Sequence, residues 1–523
     1  MSSTLLLGFV LSYFALLLIV AYFTSRSSDN NSFFIGNRNS NWLLVAFGMI
    51  GTSLSGVTFV SVPGTVGAKG FQYFQIVIGY FIGYLVVAYV LMPLYYKLQL
   101  TSIYSYLQKR IGNMAYKTGA MFFIISRTLG ATARLYLVVN ILQIFILKEM
   151  GIGFELTTVV ILLLILLYTF EGGVKTIVYT DTLQTTFMLV GLVVGIVAIL
   201  SNLHFGFGEA LGKMSEEGYM KVVNSDIKDA GFFLKHVIGG AFITIAMTGL
   251  DQEMMQKNIS VKSLGGAQKN MMTYSTVLLF VNFLFLVLGG CLYLFATQNG
   301  LSEKGDDLFP AIALKGYLSP AVGVLFVIGL ISALFPSADG ALTALTSSFC
   351  IDILGLTKDK TLDEKSRKTR RLIVHLSFTI LFFLCVMVFK YINDKSIIDV
   401  ILKLAGYTYG PLLGLFMFGI LSQRKIKDGL VLPLSLTALA LVLTLDMINN
   451  ADWFIKKLGL ASIADSLTKM QAVFGGYKIG VELLLINGLV TFALLYAFSK
   501  PSAPITLEAE PDDNAALHKE FAH

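Results

Sequence analysis

The run Gly51-Thr52-Ser53-Leu54-Ser55-Gly56-Val57-Thr58 sets two glycines around three hydroxyl side chains inside an otherwise apolar stretch. Hydroxyls and loosened backbone in dry surroundings cost free energy unless they meet a partner or line a cavity. A helix broken at this point would present carbonyls and hydroxyls to an ion and a polar solute. In the plainer alternative, Ser and Thr bond back to the preceding turn and merely bend the helix. A second polar run, Ser332-Ala333-Leu334-Phe335-Pro336-Ser337-Ala338-Asp339-Gly340, continues to Thr343. Pro336 has no backbone donor and frees a carbonyl. With Ser337, Asp339 and Thr343 close by, it offers the hard oxygens that sodium favours, as other hard cations do. An Asp339 paired with a basic residue inside the protein is the competing reading.

Arg127 and Arg134 stand seven residues apart and so share one helix face. They could grip an anionic or hydroxylated solute, or pair with Asp339 or Asp181. Thr180-Asp181-Thr182 with Gln184 reads as the start of a helix, where Asp is often only a cap, or as an ion ligand. Thr248, Asp251, Gln252 and Gln256 read equally as a wet gate or helix end and as a binding site. Asn282 reads as packing and Lys390 as interface snorkelling. Cys291, Cys350 and Cys385 show neither a disulfide framework nor metal spacing. No His-Glu zinc motif occurs, so enzyme chemistry is not expected.

The elements that must position these groups are membrane helices. Of 523 residues, 55% are hydrophobic and only 14% charged, against about 25% charged in soluble proteins. The predicted class is an all-α polytopic membrane protein. A net charge of +7 would point to nucleic acid in a soluble chain; here the basic residues fall in short loops, where they set orientation instead. A requirement of about 20 apolar residues per helix gives about 13 spans. The hydroxyl run lies in 42–63, the arginines in 118–147, Asp181 in 177–200, Thr248 in 236–255 and Asp339 in 321–354. Lys97, Lys109, Arg110, Lys257, Lys262, Lys269, Arg424 and Lys425 fall in loops on one side; Glu209, Glu216, Asp226, Glu303 and Asp306 fall on the other. That alternation predicts a multi-pass cell-membrane protein, N-terminus outside and C-terminus cytoplasmic. The first span lacks a cleavage site and is expected to be retained. Residues 1–500 form the expected transmembrane domain, with 501–523 a disordered tail. The chain is expected to be a monomer in the bilayer.

Several of these residues carry a resemblance. Phe33-Phe34-Ile35-Gly36-Asn37-Arg38 with Trp42 and the hydroxyl run is similar to the opening of the sodium:solute symporter family. Thr101-Ser102-Ile103-Tyr104-Ser105-Tyr106, Tyr168-Thr169-Phe170-Glu171-Gly172-Gly173 before Tyr179-Thr180-Asp181, Asp251-Gln252, Leu342-Thr343-Ala344-Leu345-Thr346 and the glycine-rich stretch 406–419 resemble its later motifs, in order. The resemblance implies a LeuT-like core of two inverted five-helix repeats, about 42–200 and 236–421. It implies a sodium site of Gly51 and Leu54 with Ala333, Pro336 and Ser337. Pro336 departs from a position where a hydroxyl is common; Asp339 could restore an oxygen. A further sodium site in some relatives would involve Asp181, though its hydroxyl partners are mostly missing. Solute contacts carried over are Ser53, Ser55, Thr58, Gln75, Arg134, Thr248 and Tyr407, to which Arg127 is added from its position.

The expected function is sodium-coupled import of a small polar solute by alternating access. The two arginines favour an acidic sugar such as sialic acid, or another carboxylate, over a neutral sugar. A passive channel or uniporter and a non-transporting sensor are the alternatives.

Overall fold

A chain this apolar satisfies its backbone in hydrocarbon only with helices or a closed barrel, and the computed structural model is built of helices. It describes residues 3–25, 40–169, 173–356, 362–392, 397–458 and 464–503. The run 33–38, residues 170–172, and the expected tail from 504 onward lie outside the described residues. Among the described residues, nine helices are long and apolar enough to cross a membrane, and two bent pairs bring the total to eleven. Phe154–Leu167 and Leu483–Ala497 are shorter apolar helices. Leu156, Leu163 and Leu167 of the first are exposed, as suits a lipid-facing surface.

The two bent pairs matter most. Trp42–Ser53 and Gly56–Lys69 meet at 56°. Asn41 caps the first half by accepting the Leu43 N–H. Leu54 and Ser55 are both extended, with ψ of 91° and 174°, so the helix stops and restarts within two residues. Phe233–Gly249 and Gln252–Ile259 meet at 64°. A π-helical turn, Ile245–Gly249, precedes that break, and Asp251 caps the second half by accepting the Met254 N–H.

Helix Pro320–Ser348 packs against both halves of the first broken helix and along helix Gly173–Leu203. Phe59 of the second half meets Phe285, Phe309 and Phe326, which holds it to three neighbours. Small residues allow the closest approaches, as is usual between membrane helices. Gly48 and Gly51 lie against Asp181 and Thr185 of helix Gly173–Leu203. Helix Asn113–Leu142, which carries both arginines, packs on Ile397–Leu421 and on Pro320–Ser348.

Candidate functional site

A helix break strips the adjoining carbonyls and N–H groups of intrahelical partners. The two breaks resolve this differently. At the second, the hydroxyls of Tyr95 and Tyr104 donate to the Gly249 and Leu250 carbonyls at 2.8 and 3.1 Å. Gln252 is stapled to the Ile103 N–H and the Thr101 carbonyl, which makes this end a closed joint. At the first break, Ser53, Leu54, Ser55 and Thr58 line a cavity instead.

Arg127, Arg134 and Thr248 reach the same cavity. The structure therefore brings together six of the eight sequence-derived solute residues. The other two are elsewhere. Gln75 Nε2 donates to the Gly231 carbonyl, bonds His236 Nδ1, and its Oε1 accepts the Asn224 N–H. It holds a loop closed. Tyr407 donates its hydroxyl to Asp446, which also pairs with Lys403 at 2.8 Å; its helix turns that face toward Val431–Asn449. The cavity face of helix Ile397–Leu421 is Ile398, Ile401 and Leu402.

Of the residues read as sodium ligands, Ala333, Ser337 and Asp339 are fully buried. Ser337 donates to the Leu334 carbonyl at 2.8 Å, and Asp339 Oδ1 accepts the Gly340 N–H. Pro336 sits inside the unbroken helix Pro320–Ser348. Asp181 is not a cap: helix Gly173–Leu203 begins eight residues earlier, and the carboxylate is buried in the interior.

Its partner is a correction to the loop assignment. Lys257 lies in helix Gln252–Ile259 and is buried, because Asp181 and Thr52 neutralise and solvate it. Its ammonium donates to Asp181 Oδ2 at 2.7 Å and to Thr52 Oγ1 at 2.6 Å. Thr52 in turn donates to Asp181 Oδ2 at 3.2 Å. Glu253, one turn before Lys257, pairs with Arg127 Nη2 and lies 3.9 Å from Lys257. Arg127 thus pairs with Glu253, and neither Asp181 nor Asp339 takes that place.

Sequence reasoning missed Glu253 and Lys257, and also Tyr73, Tyr80 and Tyr84, which form a wall of the cavity. The spacing of the tyrosines, seven and then four residues, marks one helix face and could have revealed them. Asn282, read as packing, also lines the cavity, with Nδ2 donating to the Leu278 carbonyl.

The model of the sodium:solute symporter family matches residues 33–434. The sodium/sialic acid symporter NanT of Aliivibrio fischeri is 24% identical over 459 residues, covering 84% of this chain and 87% of that protein. The sodium-coupled monocarboxylate transporter 1 of Mus musculus is 26% identical over 428 residues, covering 79% and 68%. A solved substrate-bound, outward-open state of a Na+-coupled sialic acid symporter shares the fold at TM-score 0.77 and 19% identity, over 96% of this chain and 99% of that one.

Proposed function

The chain belongs to the sodium:solute symporter family, and from that premise we propose that it imports a small carboxylate, an acidic sugar such as sialic acid foremost. It is a sodium-coupled secondary transporter. The observation that carries the carboxylate reading is Arg134. It faces a cavity lined by hydroxyls, tyrosines and apolar side chains, and among the described residues no carboxylate pairs with it. A cation so placed is expensive without a counter-ion, and a solute carboxylate supplies one. Two relatives are named for sialic acid and for monocarboxylates, both of this class.

Sodium sits, in this reading, where the Gly51 and Leu54 carbonyls face the Ala333 and Pro336 carbonyls and the Ser337 hydroxyl, with Asp339 contributing negative charge, while the charge of Asp181 is taken up by Lys257. Three features support it. The break at Leu54 removes helical donors from nearby carbonyls. Helix Pro320–Ser348 packs on both half-helices. Ser337 uses its proton on Leu334 and keeps lone pairs for a cation. Each expected repeat, 42–200 and 236–421, opens on a bent helix, which supports an inverted-repeat core.

Sodium ties the broken helix to Pro320–Ser348 and completes the cavity above it. Affinities for the two ligands are then coupled reciprocally, and entry of each net charge gains about 2.3 kcal/mol per 100 mV. The basic residues that remain in loops support an N-terminus outside. The chain acts as a monomer.

Purified protein in liposomes is expected to accumulate N-acetylneuraminic acid under an inward sodium gradient and not when choline replaces sodium. Equal uptake in choline would remove the coupling. Concentration of a neutral sugar but not of the acid would replace the solute class. Replacing Asp339 by Asn is expected to raise the sodium needed for half-maximal uptake.

A further inference from the structure

Four buried charged side chains form one chain of contacts that begins at the solute cavity. Arg127 reaches the cavity and pairs with Glu253. Glu253 Oε1 has no hydrogen-bond partner and lies 3.9 Å from the Lys257 ammonium. Lys257 holds Asp181 at 2.7 Å. Asp181 Oδ1 is buried without a hydrogen-bond partner as well. The line sums to zero: two cations, two anions. Lys257 has two carboxylates within reach and spends its short contacts on one of them.

We propose that this line is an ion-pair exchange relay, in which Lys257 is a tethered cation on Asp181 that a carboxylate solute releases in favour of sodium. The inference rests on the symport reading above. The solute carboxylate, held at Arg134, also competes with Glu253 for Arg127, which lines the same cavity. Glu253, freed, turns its unsatisfied oxygen to Lys257. The ammonium leaves Asp181 and Thr52, whose oxygens then take a sodium ion. The pairs become solute with Arg134 and Arg127, Glu253 with Lys257, and Asp181 with sodium. Sodium alone leaves Arg127 without its partner, and release of Lys257 without sodium leaves Asp181 unpaired, in an interior where unpaired ions cost several kcal/mol. Local pairing therefore makes the two bind together. The same line joins four helices, Asn113–Leu142, Gln252–Ile259, Gly173–Leu203 and Trp42–Ser53, so exchange along it also loosens their mutual grip.

The test counts bound sodium by scintillation proximity with radioactive sodium, on the full chain in nanodiscs. Lys257→Gln is expected to bind one sodium more than wild type in the absence of any solute. Wild type is expected to gain that sodium only when N-acetylneuraminic acid is added, with its sodium affinity tightened about fivefold or more. Should Lys257→Gln fail to fold, Asp181→Asn/Lys257→Gln keeps the line neutral. It is expected to bind one sodium fewer than wild type at saturating acid. Equal sodium counts in wild type and Lys257→Gln without solute, or in wild type and the double variant with it, would overturn the relay. If wild type binds no sodium at all, the symport reading itself fails. If it is sodium-coupled but the counts do not move, only the relay fails.

Discussion

Ser53 and Tyr274 share a hydrogen bond between hydroxyls, and Tyr274 passes the chain on to the Tyr84 hydroxyl at 2.8 Å. The last residue of a half-helix is thus tied to helix Leu264–Asn299 and to the cavity wall. Tyr274→Phe removes the middle link while keeping the ring against Tyr84. A hydrogen bond of this kind is worth about 1 kcal/mol net. The Michaelis constant for solute is expected to rise about fivefold, with thermal stability of the purified protein nearly unchanged. An unaltered uptake curve would show that the hydroxyl chain does not hold the break in its binding shape.

The two arginines are expected to part company. Arg134 has no carboxylate partner, so Arg134→Gln removes a charged contact to solute worth about 1.5–3 kcal/mol. Acid affinity is expected to fall about 10- to 100-fold with little loss of stability. Arg127→Gln instead strands Glu253 in the interior, at a cost of about 3–5 kcal/mol. Thermal unfolding distinguishes them: a larger melting-temperature drop for the Arg134 variant would reverse the assignment.

Tyr407 and Gln75 provide the converse. Tyr407→Phe breaks a bond to Asp446 and is expected to lower stability by about 1–2 kcal/mol while leaving solute affinity as it was. A selective loss of affinity would return Tyr407 to the cavity.

These cases show what was legible in the sequence. The break was: glycines bracketing hydroxyls are a local signal, and Leu54 and Ser55 obey it. The arginine pair was also legible, since seven-residue spacing fixes a shared face. Lys257 was not. Asp251-Gln252-Glu253 preceding it reads as a polar helix end, and the partners that permit its burial, Asp181 and Thr52, lie 76 and 205 residues away. Asp181 looked like a cap because helix Gly173–Leu203 starts on residues with little apolar character. Gln75 and Tyr407 were placed by correspondence along the chain, which sets the helix and not the face it turns to the cavity.

Asp306 sets a pH dependence outside the spans. It lies in the short turn Gly305–Asp307 against Gly64 of the broken helix, and burial pushes its carboxyl up to about 6. The folded protein thus holds this proton more tightly than the unfolded chain, whose Asp titrates near 3.8. The stabilisation is complete below about pH 4 and is lost as pH rises through about 6, amounting to no more than about 3 kcal/mol. Between pH 4 and 7 the wild-type melting temperature is expected to lose this contribution, whereas Asp306→Asn lacks that component. Parallel curves for the two proteins would exclude Asp306 as the source.

Gly79 and Gly240 bring helices Tyr73–Val86 and Phe233–Thr244 into backbone contact, and both helices wall the cavity. A Cβ on Gly79 would meet the Val237 carbonyl oxygen, and one on Gly240 the Ile76 carbonyl oxygen. Backbone cannot swing aside as a side chain can, so the helices must separate. Between membrane helices such close approach supplies the packing that holds them together. Gly79→Ala is therefore expected to cost about 1–3 kcal/mol as overpacking and to weaken solute binding by shifting Tyr80 and Tyr84. Gly130→Ala is the control. Nothing lies within 4 Å of a Cβ there, and Ala favours a helix interior by about 1 kcal/mol, so its melting temperature is expected to hold or rise. If the two alanine variants melt alike, contact between these helices does not set the width of the cavity.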